Sequence, residues 1–245
     1  MLEAVIFDLG GTLLHYESET ADLAELNRRG FSALYRYLAA NGQMMLPEMT
    51  FLEVVGSRVA ADWRAAQASL RGTRMEISLR AVLTDLGVSL TEGEWRAARQ
   101  AFFAPIHKAA VPRKAARHTL QALARQGVAL GVLSNTFWAA DIHDADLARF
   151  GLLEFLPIRL YSCDIGRLKP HPEAFQMALD ALGVVANKAV YVGDRLATDI
   201  EPAREVGLWG VLIRTPFRDE RSEEVMPDAV ISELSELVRL LERRR

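Results

Sequence analysis

Two carboxylates and a hydroxyl in this chain follow closely on short apolar runs. Asp8 closes Ala4-Val5-Ile6-Phe7, and Ser134 closes Val128-Ala129-Leu130-Gly131-Val132-Leu133. Asp194 stands one residue beyond Ala189-Val190-Tyr191-Val192. Apolar runs of that length, bounded by glycine or by Ser-Asn, read as buried strands. In an open α/β sheet, ligands bind beyond the carboxyl ends of the strands. Three polar groups far apart in sequence therefore fall on one rim. Carboxylates in such a place can ligate a hard cation or act as nucleophiles. Asp199 adds a carboxylate five residues after Asp194, and Lys169 is one of only four lysines in the chain. Singly, each of these residues reads as a turn, a cap or a solvated side chain. Their order on successive elements makes them a set.

The elements that must position them come in two styles. After Thr12 the apolar period becomes helical. Leu23, Leu26, Phe31, Leu34 and Leu38 recur up to Asn41-Gly42. Pro47 opens a second helix carrying Phe51, Val55, Val59 and Trp63. Ile77, Val82, Leu83 and Leu86 mark a third, ended by Gly87. Thr91 and Glu94 have capping-box spacing ahead of a fourth with Trp95, Phe102 and Phe103. Residues 15 to 107 thus read as an all-helical insert. From Pro112, helices over 113–126, 140–150, 172–182 and 198–206 alternate with strands over 128–133, 158–161, 189–192 and 210–213. A weak strand at 229–231 and a terminal helix follow, and 215–228 reads as a polar surface loop. This alternation predicts an α/β fold with a doubly wound parallel sheet.

Asp8-Leu9-Gly10-Gly11-Thr12 resembles the first motif of the haloacid dehalogenase (HAD) superfamily, written D-x-D-x-[TV] in its phosphatases. Ser134 resembles the second motif, and Lys169 within Gly166-Arg167-Leu168-Lys169-Pro170-His171-Pro172 the third. Gly193-Asp194-Arg195-Leu196-Ala197-Thr198-Asp199 resembles the fourth. The resemblance runs the length of the chain. It implies a Rossmann-like core of residues 1–14 and 108–245, with a helical cap of residues 15–107 inserted after the first motif. It implies Asp8 as the nucleophile that forms an aspartyl-phosphate, with Ser134 and Lys169 holding the transferring group. Gly11, Thr12 and Asn135 would join them in binding substrate. Mg²⁺ would be held by Asp8, the Gly10 carbonyl, Asp194 and Asp199. The expected activity is a Mg²⁺-dependent phosphatase acting on a small phosphorylated metabolite.

One part of that machinery is absent. The second Asp of the first motif is the phosphatases' general acid/base, and Gly10 stands in its place. Loss of such a group costs about 10²–10⁴-fold in rate. A phosphatase remains the leading expectation, with His15 or Glu17 as candidate replacements, because the nucleophile, the lysine and both fourth-motif carboxylates survive. The 2-haloacid dehalogenases also lack the second Asp. They usually carry an aromatic residue at that position and Asn where Asp194 stands here. Phosphonoacetaldehyde hydrolases carry a small residue there but need a cap lysine; residues 15–107 hold none, and Lys108 lies at the insert's end. A catalytically weak module that binds metal and phosphate is the third reading.

Composition bounds the rest. A net charge of −3 and a pI near 6.0 give no reason to expect a nucleic-acid or membrane partner. No apolar run approaches the roughly 18 residues of a membrane helix. A strand begins almost at once, leaving no room for a signal peptide. A cytoplasmic protein is the expectation, with oligomeric state open. Cys163, the single cysteine, permits no internal disulfide and reads as a packing residue. Arg28, Arg29, Arg64, Arg71 and Arg74 are candidates to meet an anionic substrate, though solvated helix surface suits most of them. His15, Tyr16 and Glu17 read singly as a solvated turn. Trp63 and Trp95 read as helix core.

Overall fold

The computed structural model describes residues 2–16, 22–215 and 225–243. The chain opens with β1 (Ala4–Phe7) and β2 (Leu14–His15). Four long helices follow: α1 (Leu23–Ala40), α2 (Glu48–Ser69), α3 (Met75–Asp85) and α4 (Glu92–Ala109). Next come β3 (Val111–Pro112), α5 (Ala116–Arg125), β4 (Ala129–Ser134), α6 (Ala140–Arg149), β5 (Ile158–Tyr161), α7 (Ser162–Ile165) and α8 (Pro172–Leu182). The remainder is β6 (Ala189–Gly193), a π-helical turn (Leu196–Ile200), α9 (Glu201–Glu205), β7 (Trp209–Ile213), β8 (Ala229–Ile231) and α10 (Leu234–Glu242). Short 3₁₀ turns lie at Leu153–Phe155 and Ala186–Lys188.

All four residues of β1 are buried, which suits the middle of a parallel sheet covered on both faces. Among the described residues the sheet has the order β5-β4-β1-β6-β7-β8, with every pairing parallel. Side chains alternate across it. Val5 and Phe7 join the apolar cluster of α5 and α10, through Leu120, Leu123, Leu237 and Leu241. Ala4 and Ile6 join the opposite cluster of α8, through Phe175, Ala178 and Leu179. Each such large side chain taken fully out of water is worth about 1.5–3 kcal/mol. Covering both faces forces the parallel strands to end on one exposed rim. The chain leaves β1 for β4 on one side and returns to β6 on the other, so the sheet switches direction at β1.

The helical stretch keeps its expected stops and starts. α1 ends at Ala40 beside Asn41, and Thr91 and Glu94 form the capping box of α4. Both ends of the stretch are clasped by two short strands that no periodicity announces. Leu14 pairs with Pro112 and His15 with Val111, antiparallel. His15 therefore belongs to a strand, and α4 runs on to Ala109.

Three expectations change. Residues 198–206 are not one helix: the π turn takes Leu196–Ile200 and α9 only Glu201–Glu205, because Pro202 in the first turn lacks the N–H an earlier start would need. The helix expected from 113 begins at Ala116, since Arg113 is used elsewhere. Ile77, placed among the apolar positions of α3, is 64% exposed, while Met75 and Leu79 on either side are buried. Of the expected loop 215–228, residues 216–224 lie outside the described residues. Among the described residues no helix is long and apolar enough to cross a membrane.

Candidate active site

Phe7 is level with Val132 in β4 and with Val192 in β6, so Asp8, Ser134 and Asp194 emerge on one edge within two residues of each other in register. The Asp8 N–H donates to Val192 O at 2.8 Å, extending the ladder one residue and fixing where the carboxylate leaves the sheet. The chain then turns sharply. Gly11 takes φ +90°, a conformation that only glycine adopts without strain, and its N–H donates to Leu14 O at 2.7 Å. The N–H groups of Leu13 and Leu14 both reach Leu9 O, at 2.9 and 3.0 Å. Arg113, buried, clamps this turn from outside: its guanidinium donates to the carbonyls of Gly11, Arg214 and Ser232.

Lys169 comes to the rim from the loop before α8. The Asn135 amide holds its backbone from both sides, accepting from Lys169 N and donating to Lys169 O, each at 2.7 Å. All three ammonium hydrogens are then used. Nζ donates to Asp8 Oδ1 at 2.8 Å, Asp199 Oδ1 at 2.6 Å and Tyr191 Oη at 2.7 Å. The Tyr191 hydroxyl donates in turn to Leu133 O at 3.0 Å or Asp199 Oδ1 at 3.2 Å. The other Asp199 oxygen accepts from Arg195 N at 3.0 Å. Burial works against the Lys169 charge, but Asp199 and Asp8 outweigh it and hold the ammonium above its usual range. Burial also raises the Asp8 carboxyl, against the pull of Lys169. The Tyr191 hydroxyl is driven well up by burial and by Asp199, so it keeps its proton.

Asp8, Asp194 and Asp199 are buried, and each offers a carboxylate oxygen within 4.8 Å of the others. An octahedral Mg²⁺ with ligands at 2.0–2.1 Å spaces opposite oxygens by about 4 Å. The donor set is hard, anionic and nearly at that spacing, so it fits such a cation. The close approach of Asp199 depends on Gly193: a Cβ there would lie 2.5 Å from both Cβ and Cγ of Asp199.

A cavity of about 570 Å³ opens above these groups. Asp8, Gly10, Gly11 and Ser134 line its floor, with Asn135, Lys169, Asp194 and Asp199. Its far wall comes from α1 and α2, including Phe31, Val59 and Trp63. Thr12 is wholly buried beneath the turn, and neither it nor His15 is among the described lining residues. Glu17 lies outside the described residues. Of the five arginines, Arg28 and Arg64 line the cavity and Arg29, Arg71 and Arg74 do not. Arg28 is bound to Glu25 and Arg74 to Asp164. Trp63 lines the cavity, stacked on Phe137 at 5.2 Å between ring centres, whereas Trp95 is buried under Arg80. Burial pushes the Cys163 thiol up to about 12, so it stays protonated, as a packing residue would.

Sequence reasoning missed several groups here. Tyr191 looked like one more apolar strand residue. Tyr16, expected at a solvated turn, is buried in the cavity wall. His143 of α6 lies behind it, its ring bonded to Tyr16 Oη at 3.2 Å and to Thr136 Oγ1 at 2.7 Å. Burial takes His143 down to about 4 and leaves it neutral. The only sequence signal was a polar residue on the apolar face of a short helix.

Comparison with known proteins agrees with this geometry. The model of the haloacid dehalogenase-like hydrolase family matches residues 2–207. The chain is 27% identical to a phosphoserine phosphatase of Thermus thermophilus, across 96% of this chain and 98% of that one. It is 35% identical to a glyceraldehyde 3-phosphate phosphatase of Methanocaldococcus jannaschii, over 49% of this chain and 52% of that one. Among solved structures, a 2-haloacid dehalogenase of Pseudomonas syringae pv. Tomato superposes with a TM-score of 0.74 at 26% identity, both chains fully covered. A HAD phosphatase of Thermococcus onnurineus gives a TM-score of 0.67 at 22% identity, with 98% of each chain covered. The sheet order, the four motif segments on one rim and the family match agree: this chain is a hydrolase of the haloacid dehalogenase-like family.

Proposed function

We propose that the protein is a Mg²⁺-dependent phosphatase acting on a small phosphomonoester, with Asp8 as nucleophile. The observation that carries this reading is the buried Lys169 ammonium bridging Asp8 and Asp199 at 2.8 and 2.6 Å, beside a third carboxylate, Asp194. Two anions, a carboxylate and a phosphate, must be brought together, and a fixed cation compensates them in a site of low dielectric. Asp8, Asp194 and the Gly10 carbonyl would hold the metal, with Asp199 joining them directly or through water. When bound, Mg²⁺ would supply Lewis-acid stabilisation of the charge that develops on the phosphoryl oxygens.

The chain's own groups do the rest. Asp8 attacks phosphorus and forms an aspartyl-phosphate as the bond from phosphorus to the ester oxygen breaks, the bonding pair leaving with the alcohol oxygen. Ser134 holds a phosphoryl oxygen, Lys169 compensates the charge gathered at Asp8, and Asn135 keeps Lys169 in place. Thr12, buried under the turn, supports the loop. Water then attacks the aspartyl-phosphate at phosphorus and regenerates Asp8. Residues 15–107 act as a cap over the rim formed by residues 1–14 and 108–245. They exclude bulk water from the acyl-phosphate and select substrate. The relatives named phosphatases support a phosphorylated small molecule as substrate.

The test is release of inorganic phosphate from 4-nitrophenyl phosphate with Mg²⁺ or EDTA, beside an Asp8→Asn variant. Activity that needs both Mg²⁺ and Asp8 is expected. Full activity in Asp8→Asn would refute the reading. The likeness to the Pseudomonas syringae dehalogenase supports a second reading, halide displacement from a 2-haloacid by Asp8. Halide release in EDTA, without phosphate release from any ester, would favour it. The intact Asp194 weighs for the phosphatase.

A further inference from the structure

The cavity changes character with distance from Asp8. Its floor is charged. Its upper wall is rich in rings, with Asn27, Arg28, Arg64 and Gln67 set among them: Trp63 stacks on Phe137, and Tyr16 meets Trp138 edge-on at 5.4 Å between ring centres. Phe31 and Val59 complete that wall from α1 and α2. A body buried there finds ring faces. A sugar hydroxyl laid against those rings would lose water without gaining a partner from them. A volume of about 570 Å³ accommodates an aromatic ring beside the phosphoryl group.

Gly10 lines the same cavity beside Asp8. It is not glycine for a backbone reason. Its φ is not in the left-handed region, and a Cβ built on it meets nothing within 4 Å. A side chain would fit, and none is there to protonate a leaving oxygen. The nearby cation does not serve either: Lys169 spends all three hydrogens on Asp8, Asp199 and Tyr191. His143 also lines the cavity, but both of its nitrogens are engaged by Tyr16 and Thr136. An alkanol holds its proton about as tightly as water does, far more tightly than a phenol. A phenol, like a tyrosine side chain, has a pKa of about 10 and departs as its anion far more readily.

We infer that the site selects aryl phosphomonoesters, whose ring the Trp63–Phe137 wall receives and whose phenolate leaves without a proton donor at position 10. This inference rests on the phosphatase reading. In the step, an Asp8 oxygen forms a bond to phosphorus while the bond from phosphorus to the aryl oxygen breaks. The bonding pair goes to the phenolate, which takes its proton from water afterwards. Water then attacks phosphorus, the bond to Asp8 breaks, and inorganic phosphate and the Asp8 carboxylate are released.

The experiment compares phenyl phosphate with benzyl phosphate, which has the same ring on an alkanol oxygen, and with acetyl phosphate, which has a good leaving group and no ring. Wild type, Gly10→Asp and Trp63→Ala are assayed with Mg²⁺, with Asp8→Asn as background. In wild type, kcat/KM for phenyl phosphate should exceed that for benzyl phosphate by at least about 10²-fold. Gly10→Asp should close most of that gap by raising the rate on benzyl phosphate. Trp63→Ala should raise KM for phenyl phosphate about tenfold more than KM for acetyl phosphate. Equal kcat/KM for phenyl and benzyl phosphates in wild type would overturn the inference, because another group would then be supplying the proton. An equal effect of Trp63→Ala on phenyl and acetyl phosphates would overturn the placement of the ring. Absence of Asp8-dependent phosphate release from all three compounds would instead refute the phosphatase reading itself.

Discussion

The ammonium of Lys169 lies 2.8 Å from the Asp8 carboxylate, and both groups are buried, 161 residues apart in the chain. The contact joins the end of the central strand to a loop that Asn135 holds by two further hydrogen bonds. It makes the proposed nucleophile a member of an ion-paired cluster rather than a lone buried charge. The cluster is where chemistry and stability meet, so its removal should be felt in both.

Lys169→Met leaves Asp8 and Asp199 buried without their shared cation. Breaking a buried pair by deleting one partner typically costs about 3–5 kcal/mol. We expect a loss of that order in urea unfolding at pH 7, together with loss of phosphatase activity. A variant as stable as wild type would show that the triad is not held as described.

Gly193→Ala places a methyl 2.5 Å from Cβ and Cγ of Asp199. Asp199 must move, and with it one of the three partners of Lys169. Displacing an active-site group by about 1 Å can cost on the order of 10²-fold in rate. We expect catalytic efficiency to fall by about tenfold or more, with the fold retained by circular dichroism. Wild-type kinetics would mean that the approach of Asp199 to Gly193 is dispensable.

Mg²⁺ should stabilise the folded chain, since the carboxylates that would bind it are gathered only there. A ligand at 100 times its Kd adds about 2.7 kcal/mol. Melting in Mg²⁺ against EDTA should show a rise in Tm for wild type and a much smaller one for Asp194→Asn. Equal rises in the two proteins would place the ion elsewhere.

His143 gives stability a pH dependence. Burial lowers its folded-state pKa from 6.5 to about 4. Between those values the unfolded chain binds the extra proton, so stability is full above pH 6.5 and falls as pH drops towards 4. At pH 5 the loss is up to ~2 kcal/mol, about 1.5 pH units at 1.36 kcal/mol each. Urea unfolding at pH 7.5 and 5 should show this loss in wild type and a smaller one in His143→Gln. Equal losses in both would remove His143 as the cause.

The rim was legible because each of its groups follows a short apolar strand. Asp8, Ser134 and Asp194 needed only local pattern, and Thr91 with Glu94 announced α4 in the same way. What stayed hidden depends on contacts between distant segments. Tyr191 sits within an unbroken apolar run, and only the arrival of Lys169 and Asp199 gives its hydroxyl a purpose. β2 and β3 are two residues each, too short for any period to register. His143 meets Tyr16 across 127 residues. The arginines divided by helix phase: Arg28 and Arg64 face the cavity, while Arg29, one residue on from Arg28, turns away from it. Ile77 marks the limit of composition, since an apolar residue on a helix need not lie on its buried face.

In the proposed reaction a phosphoryl group passes through Asp8. The most direct test is acid quenching of the protein during turnover of phenyl phosphate, followed by borohydride reduction and peptide mass analysis. Asp8 should be converted to homoserine in the quenched protein, and not without substrate. Turnover in the presence of Mg²⁺ with Asp8 unmodified under these conditions, or modification at another carboxylate, would contradict it.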